Sequence, residues 1–273
     1  MGDSDMSTFV TRFAPSPTGR LHLGHAASAF HVWRAAEAAG GEALLRIEDI
    51  DTTRCRPEFT AAIFEDLRWL GFRWPEPVRI QSEHFEDYHR VVSDLASRGL
   101  AYRCFRTRSD IQAEPLAPLS PSEEERKLAS GAPFAWRLSL RAAREEIGAV
   151  WKDLSFRVQA PSGLETMRAQ PETQGDIIIA RKDSPSAYHI AATHDDALQG
   201  ITHVIRGEDL VEAPHIQVVL QVLMGWPSVI YQHHTLVLGS DGQRLAKSHG
   251  SISLAALRAS GMSVEDIRSR LGF

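Results

Sequence analysis

The chain has 273 residues, of which 43% are hydrophobic and 24% are charged, and this composition excludes a disordered or fibrous protein. The 30 Lys and Arg residues against 35 Asp and Glu residues give a net charge of -5. We therefore exclude a protein that coats nucleic acid non-specifically, although a local basic patch can still bind one structured RNA. The two cysteines, Cys55 and Cys104, are too few for a disulfide framework or a four-cysteine metal site.

The sequence predicts a cytoplasmic protein that does not enter a membrane. Residues 1–8 are polar and acidic and no apolar run follows them, which is unlike a signal peptide. The most apolar stretch, residues 216–226, is interrupted by Gln217 and Gln221 and falls short of the roughly 20 apolar residues that span a bilayer. The small number of cysteines fits a reducing compartment. Separately, we expect the protein to be a monomer.

The first hundred residues predict alternating strands and helices. Apolar periodicity and turn residues indicate, in chain order, a strand at 9–13, a turn at 14–19, a helix at 22–39, a strand at 43–47 and helices at 58–70 and 83–98. This order is typical of an α/β fold with a parallel sheet, in which right-handed crossovers place ligands at the carboxyl ends of the strands.

The middle of the chain has a different character and predicts an inserted α+β domain at residues 101–185. Its elements are a proline-rich stretch at 114–121, a helix at 122–129 and short strands at 134–140, 150–158 and 176–180. The α/β pattern then resumes with a strand at 202–205, a helix at 213–224 and a strand at 231–238. We therefore predict one α/β domain formed by residues 1–100 and 186–240, and a polar loop with short helices at 241–273.

The sharpest local motif is residues 18–25 (Thr-Gly-Arg-Leu-His-Leu-Gly-His), between the first predicted strand and the first helix. His22 and His25 lie three residues apart and share one face of a helical first turn. Gly24 allows a ligand to approach the backbone, and the helix N-terminus supplies unpaired N–H groups with a partial positive charge. This combination predicts a phosphate site, although an incidental pair or a partial metal site fits the spacing of the two histidines as well.

A second candidate for phosphate binding is the basic segment 243–249, which follows the Gly- and Ser-containing residues 239–242. Such a segment can close over a triphosphate and bring Lys247 against it. A solvated surface loop has the same composition, and the segment alone does not decide between the two interpretations.

Polar side chains also stand near the predicted ends of strands. Arg12, Glu48 and Arg206 would converge on one cleft, where Arg suits the carboxylate and Glu suits the ammonium group of a zwitterion. Surface salt bridges would give the same pattern. Asp195 and Asp196 fit either ribose hydroxyls or a helix cap.

Taken in order, these motifs resemble the glutamyl-tRNA synthetases, which are class I aminoacyl-tRNA synthetases. Residues 12–19 (Arg-Phe-Ala-Pro-Ser-Pro-Thr-Gly) and the His-Leu-Gly-His run at 22–25 are similar to the opening of that family and its HIGH-type motif. Further matches follow at 46–51 (Arg-Ile-Glu-Asp-Ile-Asp), 188–191 (Tyr-His-Ile-Ala), 204–209 (Val-Ile-Arg-Gly-Glu-Asp) and, at the KMSKS-type loop, 243–248. The resemblance covers about residues 9–250. It implies a Rossmann-like catalytic domain, an inserted domain that faces tRNA and a short helical C-terminal segment.

Full-length members of the family carry a long C-terminal anticodon-binding region, and we expect none here because the chain ends at Phe273. In this respect the chain resembles the short branch of the family, the glutamyl-Q tRNA(Asp) synthetases. That resemblance implies activation of L-glutamate by ATP and Mg²⁺ without tRNA. It further implies transfer of the glutamyl group to queuosine at the anticodon wobble position of tRNA(Asp).

The resemblance also implies roles for individual residues. The glutamate-binding set is Arg12, Ala14, Ser16, Glu48, Tyr188 and Arg206. Within it, Glu48 would bind the amino group and Arg206 the side-chain carboxylate. The ATP-binding set is His22, Gly24, His25 and Lys247. Of these, His22, His25 and Lys247 would act catalytically by stabilising the charge that spreads over the phosphates in the transition state.

Three departures from the family pattern bear on these roles. Ala192 stands where the full-length enzymes usually have Asn, which can weaken glutamate affinity or alter tRNA dependence. Arg244 and Ala246 change the KMSKS-type loop, but Lys247 is retained and we expect activation to survive. Of the Cys-x-Cys, Tyr and Cys set with which many short relatives bind zinc, only Cys104 is present, so we expect no metal site. The proline-rich stretch must then be held by packing.

Two alternative functions stay open. The chain can be a truncated synthetase that charges the 3′ end of tRNA(Glu), or a catalytically silent paralogue that binds RNA or senses an amino acid. The altered loop supports the silent paralogue, whereas the intact His22, His25 and Lys247 oppose it.

Overall fold

A computed structural model describes residues 8–106, 117–237 and 252–273. The strands are β1 (Val10–Phe13), β2 (Glu42–Ile47), β3 (Arg79–Ile80), β4 (Ala101–Cys104), β5 (Ala135–Leu138), β6 (Ser155–Ala160), β7 (Gly163–Arg168), β8 (Ile178–Ala180), β9 (His203–Gly207) and β10 (Ile230–His234). The α-helices are α1 (Leu23–Ala38), α2 (Pro57–Trp69), α3 (Phe85–Ser97), α4 (Pro121–Ala129), α5 (Leu140–Ile147), α6 (Tyr188–Leu198), α7 (Pro214–Met224), α8 (Leu254–Ala259) and α9 (Val264–Leu271).

A parallel sheet forms the centre of the molecule. Its two parts have the strand orders β1-β2-β3 and β7-β6-β10-β9, and only β7 runs antiparallel to its neighbour. The parts meet where β9 lies beside β1, and the Thr202 N–H donates to the Val10 carbonyl at 2.9 Å. The parallel strands therefore follow the order β3-β2-β1-β9-β10-β6, which reverses direction between β1 and β9. Open α/β sheets bind their ligands at such a reversal, outside the carboxyl ends of the strands.

Helices cover both faces of this sheet. Consecutive strand residues point to opposite faces, and Val204 and Ile205 of β9 accordingly belong to two different apolar cores. The first core contains residues of α3, α5, α6 and α7, and the second contains residues of α1, α2, α8 and α9. This arrangement confirms the predicted α/β class. None of the helices in the described ranges combines the length and the hydropathy needed to cross a bilayer.

Strands β4, β5 and β8 form a separate antiparallel sheet in the order β4-β5-β8. This sheet and helices α4 and α5 lie within the predicted insertion at 101–185. Strands β6 and β7 lie there as well, but they extend the main sheet beyond β10. The boundaries of the inserted domain and its orientation toward tRNA therefore stay predictions.

Some elements differ from those that the sequence predicts. The prediction of a strand at 150–158 is wrong for its first residues, because residues 148–153 form a 3-10 helix. Gly148 has φ 65°, which ends α5, and the Trp151 side chain is buried with its indole N–H bonded to Glu172 at 2.9 Å. The strand expected at 231–238 ends at His234, and residue 238 lies outside the described residues.

The carboxylate of Asp196 on α6 joins the first two strands of the sheet to that helix. It accepts hydrogen bonds from Arg12 Nε of β1 at 2.8 Å and from Arg46 Nη1 of β2 at 2.8 Å. Burial by itself would raise the pKa of Asp196, but the two guanidinium groups hold it below the ordinary value for Asp. Neither sequence interpretation of Asp196, as a ribose ligand or a helix cap, is correct, because the residue lies inside α6 and is 5% exposed.

The carboxylate of the preceding residue, Asp195, binds a second group of buried side chains on another side of α6. Its carboxylate accepts from Arg79 Nε at 2.8 Å, Gln81 Nε2 at 3.0 Å and the Tyr88 hydroxyl at 2.8 Å. Adjacent residues of a helix point about 100° apart, so one dipeptide reaches two separate groups of partners. Helix α6 is thereby fixed in rotation as well as in position.

Helix α8 packs on α2 and brings Arg258 toward the buried Asp66. The Arg258 Nη2 atom bonds Glu65 at 2.7 Å and lies 3.8 Å from Asp66 Oδ1. Within the described ranges neither Asp66 oxygen has a hydrogen-bond partner. Burial raises the pKa of Asp66 to about 6, against the opposing effect of Arg258.

We expect Asp196→Asn to lower the free energy of unfolding by about 3–5 kcal/mol, because two buried guanidinium groups would lose their shared anion. Chemical denaturation monitored by circular dichroism measures this change. Asp183→Asn is the matched control, since Asp183 pairs with Arg181 at the surface and its side chain is 52% exposed. The control should change stability by less than about 1 kcal/mol, and equal losses in both variants would contradict the role of Asp196.

Asp66→Asn should stabilise the protein at pH 7.5 by about 1–3 kcal/mol, because the amide places no charge in the core. The folded pKa of about 6 exceeds the ordinary 3.8, so the folded chain holds this proton more tightly than the unfolded chain. The stability of the parent relative to the variant should therefore fall as pH rises from about 4 to about 6. Denaturation curves between pH 4 and pH 8 test this, with Glu37→Gln at an exposed position of α1 as the control. A pH-independent difference would contradict it.

Candidate active site

A cavity of about 620 Å³ opens where β1 and β9 end, at the reversal of strand order. Nine of the ten predicted site residues line it: Arg12, Ala14, Ser16, His22, Gly24, His25, Glu48, Tyr188 and Arg206. Lys247, the tenth, lies outside the described residues. The walls of the cavity come from five places in the chain: the segments that follow β1 and β2, the starts of α1 and α6, and the end of β9. Residues distant in sequence therefore share one site.

The two histidines at one end of the cavity cap helix α1. His22 Nδ1 accepts from the Gly24 N–H at 3.1 Å, and His25 Nδ1 accepts from the His22 N–H at 3.2 Å. This reciprocal pair is a capping box in which imidazoles replace the usual hydroxyl and carboxylate. Because Nδ1 accepts in both rings, the proton of each neutral ring lies on Nε2. Two Nε2–H groups at a helix N-terminus suit the oxygen atoms of a phosphate.

Gly24 also has a steric role here that the sequence does not reveal. A Cβ at this position would lie 3.0 Å from Cε1 of the His22 ring. Gly24 therefore makes room for the capping imidazole, in addition to allowing a ligand to approach the backbone.

The same end of the cavity is joined to the C-terminal helices. His22 forms an antiparallel bridge with Ser253, and the Leu254 N–H donates to the Leu21 carbonyl at 2.8 Å. Val237, the last described residue before the segment 238–251, lines the cavity. The described residues on both sides of the segment that contains Lys247 thus lie at or beside the cavity.

Glu48, another residue of the cavity wall, follows the last residue of β2. Its Oε1 atom accepts from Arg46 Nη2 at 3.0 Å, and its backbone N–H donates to the Pro15 carbonyl at 3.1 Å. Burial raises the pKa of Glu48, an effect larger than the opposing influence of Arg46 and Arg12. One oxygen is thus engaged by Arg46 in a carboxylate that lines the cavity, which suits an ammonium group as partner.

Arg206, near the end of β9, lines the cavity and places a buried positive charge in its wall. Its Nη1 donates to the Tyr188 hydroxyl at 3.1 Å, and its Nη2 donates to Gln217 Oε1 at 3.2 Å. Its Nε donates to His233 Nε2 at 3.4 Å. The residue is 5% exposed, and within the part of the chain that the structure describes it forms no ion pair with a carboxylate. A buried cation with neutral neighbours favours an anionic ligand.

The sequence analysis missed Gln217 and His233 as residues of this site. Gln217 lies 11 residues and His233 lies 27 residues from Arg206, and both come from elements that only the tertiary fold brings together. Ser28 and His234 were missed as well; they line the cavity and contact each other at 3.0 Å. No local spacing marks any of these residues.

A second cavity of about 310 Å³ adjoins the first and shares Ser16, Thr18, Glu48 and Tyr188 with it. Its outer wall carries Arg54 and Arg181, which pair with Asp51 at 2.7 Å and 3.4 Å. The centre of the site is therefore accessible from two cavities, which leaves room for a second substrate.

Within residues 8–106, 117–237 and 252–273, no three His, Cys, Asp or Glu side chains are grouped so that they could hold a metal ion. Cys104 is buried on β4 and Cys55 is partly buried beside the second cavity. The expected absence of zinc stays a prediction.

The sequence was also compared with known proteins. Residues 8–271 match the family described as "tRNA synthetases class I (E and Q), catalytic domain". "Glutamyl-Q tRNA(Asp) synthetase" from Rhodobacter capsulatus is 41% identical, over 96% of this chain and 99% of that protein. "Glutamate--tRNA ligase 1" from Dinoroseobacter shibae is 36% identical, over 99% of this chain and 57% of that protein. A glutamate tRNA ligase from Elizabethkingia meningosepticum, solved with its amino acid, has a TM-score of 0.69 and 28% identity, over 89% of this chain and 52% of that one.

The chain thus spans nearly all of the first relative and about half the length of the other two proteins. The resemblance stated from the motifs is confirmed, and so is the prediction of an aminoacyl-tRNA synthetase-type ligase. Since the family pattern extends over almost the whole chain, this protein belongs to the class I tRNA synthetases of the E and Q family.

Proposed function

We propose that the protein activates L-glutamate with ATP in the absence of tRNA and transfers the glutamyl group to queuosine at the anticodon wobble position of tRNA(Asp). The chain is a class I synthetase that activates glutamate, because its relatives are named for that amino acid. The finer assignment to queuosine is supported by the name of the Rhodobacter capsulatus relative, which this chain matches from end to end. The cytoplasmic location and the monomeric state remain parts of the same proposal.

Arg206 is the observation that carries this proposal. It is a buried cation on the cavity wall whose partners among the described residues are neutral. The side-chain carboxylate of glutamate would supply the missing anion, and Glu48 would bind the ammonium group of the same molecule. These two contacts leave the α-carboxylate as the reacting group, oriented toward the histidine end of the cavity.

The first reaction is an in-line attack of an α-carboxylate oxygen on the α-phosphorus of ATP, which forms glutamyl-adenylate and releases pyrophosphate. ATP enters as its Mg²⁺ complex. His22 and His25 would donate hydrogen bonds to the phosphate oxygens, and Lys247 would stabilise the triphosphate. In such reactions the protein mainly positions the reactants and stabilises the spreading charge.

The second reaction needs an acceptor hydroxyl at the carbonyl carbon of the adenylate, which is already a mixed anhydride. The cavity that adjoins Glu48 and Tyr188 supports such a step, because it offers space for an acceptor beside a bound adenylate. The hydroxyl oxygen forms the ester bond and gives up its proton to water, and AMP departs with the bridging oxygen.

Glutamate-dependent exchange of pyrophosphate into ATP tests the first step. We expect exchange with glutamate in the absence of tRNA, and none with aspartate. Absence of exchange with every amino acid would contradict the enzyme proposal and favour the silent paralogue.

Transfer of labelled glutamate tests the second step with three acceptors: tRNA(Asp) with queuosine, tRNA(Asp) without it, and tRNA(Glu) without it. We expect label only on the queuosine-bearing tRNA(Asp), in a bond that survives removal of the 3′-terminal nucleotides. Label on the 3′ end of tRNA(Glu) would instead identify a truncated charging enzyme.

We expect His25→Ala to lower kcat of the exchange reaction by about 10²–10³-fold, the scale of losing one donor to a transition-state oxygen. KM for glutamate should stay unchanged, because His25 lies at the nucleotide end of the cavity. The lost cap should lower stability by about 1 kcal/mol, which thermal unfolding checks separately. His84→Ala on the surface is the control, and a loss of kcat below tenfold in the folded His25 variant would contradict the assignment.

A further inference from the structure

The guanidinium group of Arg206 is held by three neutral groups. The His233 ring, the Tyr188 hydroxyl and the Gln217 amide oxygen accept its hydrogen bonds at 3.4 Å, 3.1 Å and 3.2 Å. The ring of Tyr231 lies 5.1 Å from the guanidinium carbon and adds a cation–π contact without adding a charge. Arg206 is therefore fixed in place without being neutralised.

Other arginines around the site differ from Arg206 because they form ion pairs with carboxylates. Arg12 and Arg46 share the carboxylate of Asp196, and Arg79 pairs with Asp195, all at 2.8 Å. Glu48 also pairs with Arg46, at 3.0 Å, so each of these three arginines has a carboxylate partner within the protein. Among the described residues near the cavity, the contrast singles out Arg206 as a cation held only by neutral acceptors.

The neutral state of these partners is fixed over the physiological pH range. Burial and the charge of Arg206 lower the pKa of His233 to about 4, so its ring is uncharged and its Nε2 can accept a hydrogen bond. Burial raises the pKa of Tyr188, which keeps the phenol protonated. Gln217 has no ionisable group and is 3% exposed.

The hydrogen bonds also leave suitable donors for a ligand. A guanidinium group has five N–H donors, and the three contacts engage one on Nε, one on Nη1 and one on Nη2. One N–H on each terminal nitrogen is not engaged by any described residue. Two such donors match the two oxygens of a carboxylate.

We propose that Gln217 and His233 are positioning residues that present Arg206 as an un-neutralised cation, and that they thereby set the selectivity for a carboxylate over an amide side chain in the amino-acid substrate. The proposal rests on the proposed function, since it concerns the site where the glutamate side chain would bind. A bound glutamate cancels the charge of Arg206. A bound glutamine leaves that charge buried and presents an NH₂ group, which cannot accept a hydrogen bond, to one of the two donors.

Gln217→Glu tests this with an almost isosteric change, because the new carboxylate would pair with Arg206 inside the protein. We expect kcat/KM for glutamate in pyrophosphate exchange to fall by about 100-fold, mainly through KM, as for a lost charged hydrogen bond. The ratio of kcat/KM for glutamate over glutamine should fall by at least about 30-fold, because a neutralised Arg206 no longer disfavours the amide. KM for ATP should not change.

Gln217→Met is the matched control, since it removes one hydrogen bond but introduces no charge. We expect KM for glutamate to rise by only about 3–10-fold, as for one neutral hydrogen bond, with the preference over glutamine retained. A structural role for Gln217 would instead make the two variants equally defective.

His233→Asp and His233→Asn repeat the comparison at an independent position, so the proposal does not depend on the folding of one variant. The Asp variant should lose selectivity and the Asn variant should keep it, and thermal unfolding in each case verifies a folded chain. If Gln217→Glu prefers glutamate over glutamine as strongly as Gln217→Met does, and His233→Asp as strongly as His233→Asn, the proposal is wrong. If the parent protein shows no exchange with glutamate, the proposed function itself fails, and the two failures are thereby distinguished.

Discussion

The buried contact between Asp196 and two arginines is the interaction on which both the sheet and the site depend. One carboxylate on α6 binds a guanidinium group from β1 and another from β2, and the same arginine of β2 holds Glu48. Removing charged groups from water is costly, and only short hydrogen bonds of good geometry offset that cost. The contact therefore defines where the first two strands end relative to the helix, and so fixes the walls of the cavity.

The distribution of charge follows from that arrangement. Arg12 and Arg46 form buried ion pairs with Asp196 and Glu48. Arg206 sits across the strand reversal on β9, next to Tyr188, where the described residues offer it only neutral acceptors. The site thus pairs Arg12 and Arg46 with carboxylates and leaves Arg206 for a ligand. This suits a ligand of net charge -1, and glutamate, with two carboxylates and one ammonium group, has that charge.

The motif residues of the site and the α/β class could be predicted from the sequence, because each motif sits at the end of a strand or the start of a helix. Helix α6 was missed, since its Ala, His and Asp residues give little apolar periodicity. Asp195 and Asp196 were therefore interpreted as ribose ligands or a helix cap, although both are buried inside α6. Gln217 was seen only as an interruption of an apolar run, because its partner Arg206 lies on another element and nothing local records that contact. Long-range pairing of polar side chains is a property of the tertiary fold, whereas caps and strand ends leave local patterns.

The partners of Asp196 and Asp195 are far apart along the chain, with separations of 184 and 150 residues to Arg12 and Arg46 and 116 residues to Arg79. Contacts of such high sequence separation require the entropic cost of closing long loops to be offset. The walls of the cavity come from the segments that these contacts join. A ligand that binds between these walls therefore stabilises the whole α/β unit against global unfolding, because its site is complete only when these distant segments are joined.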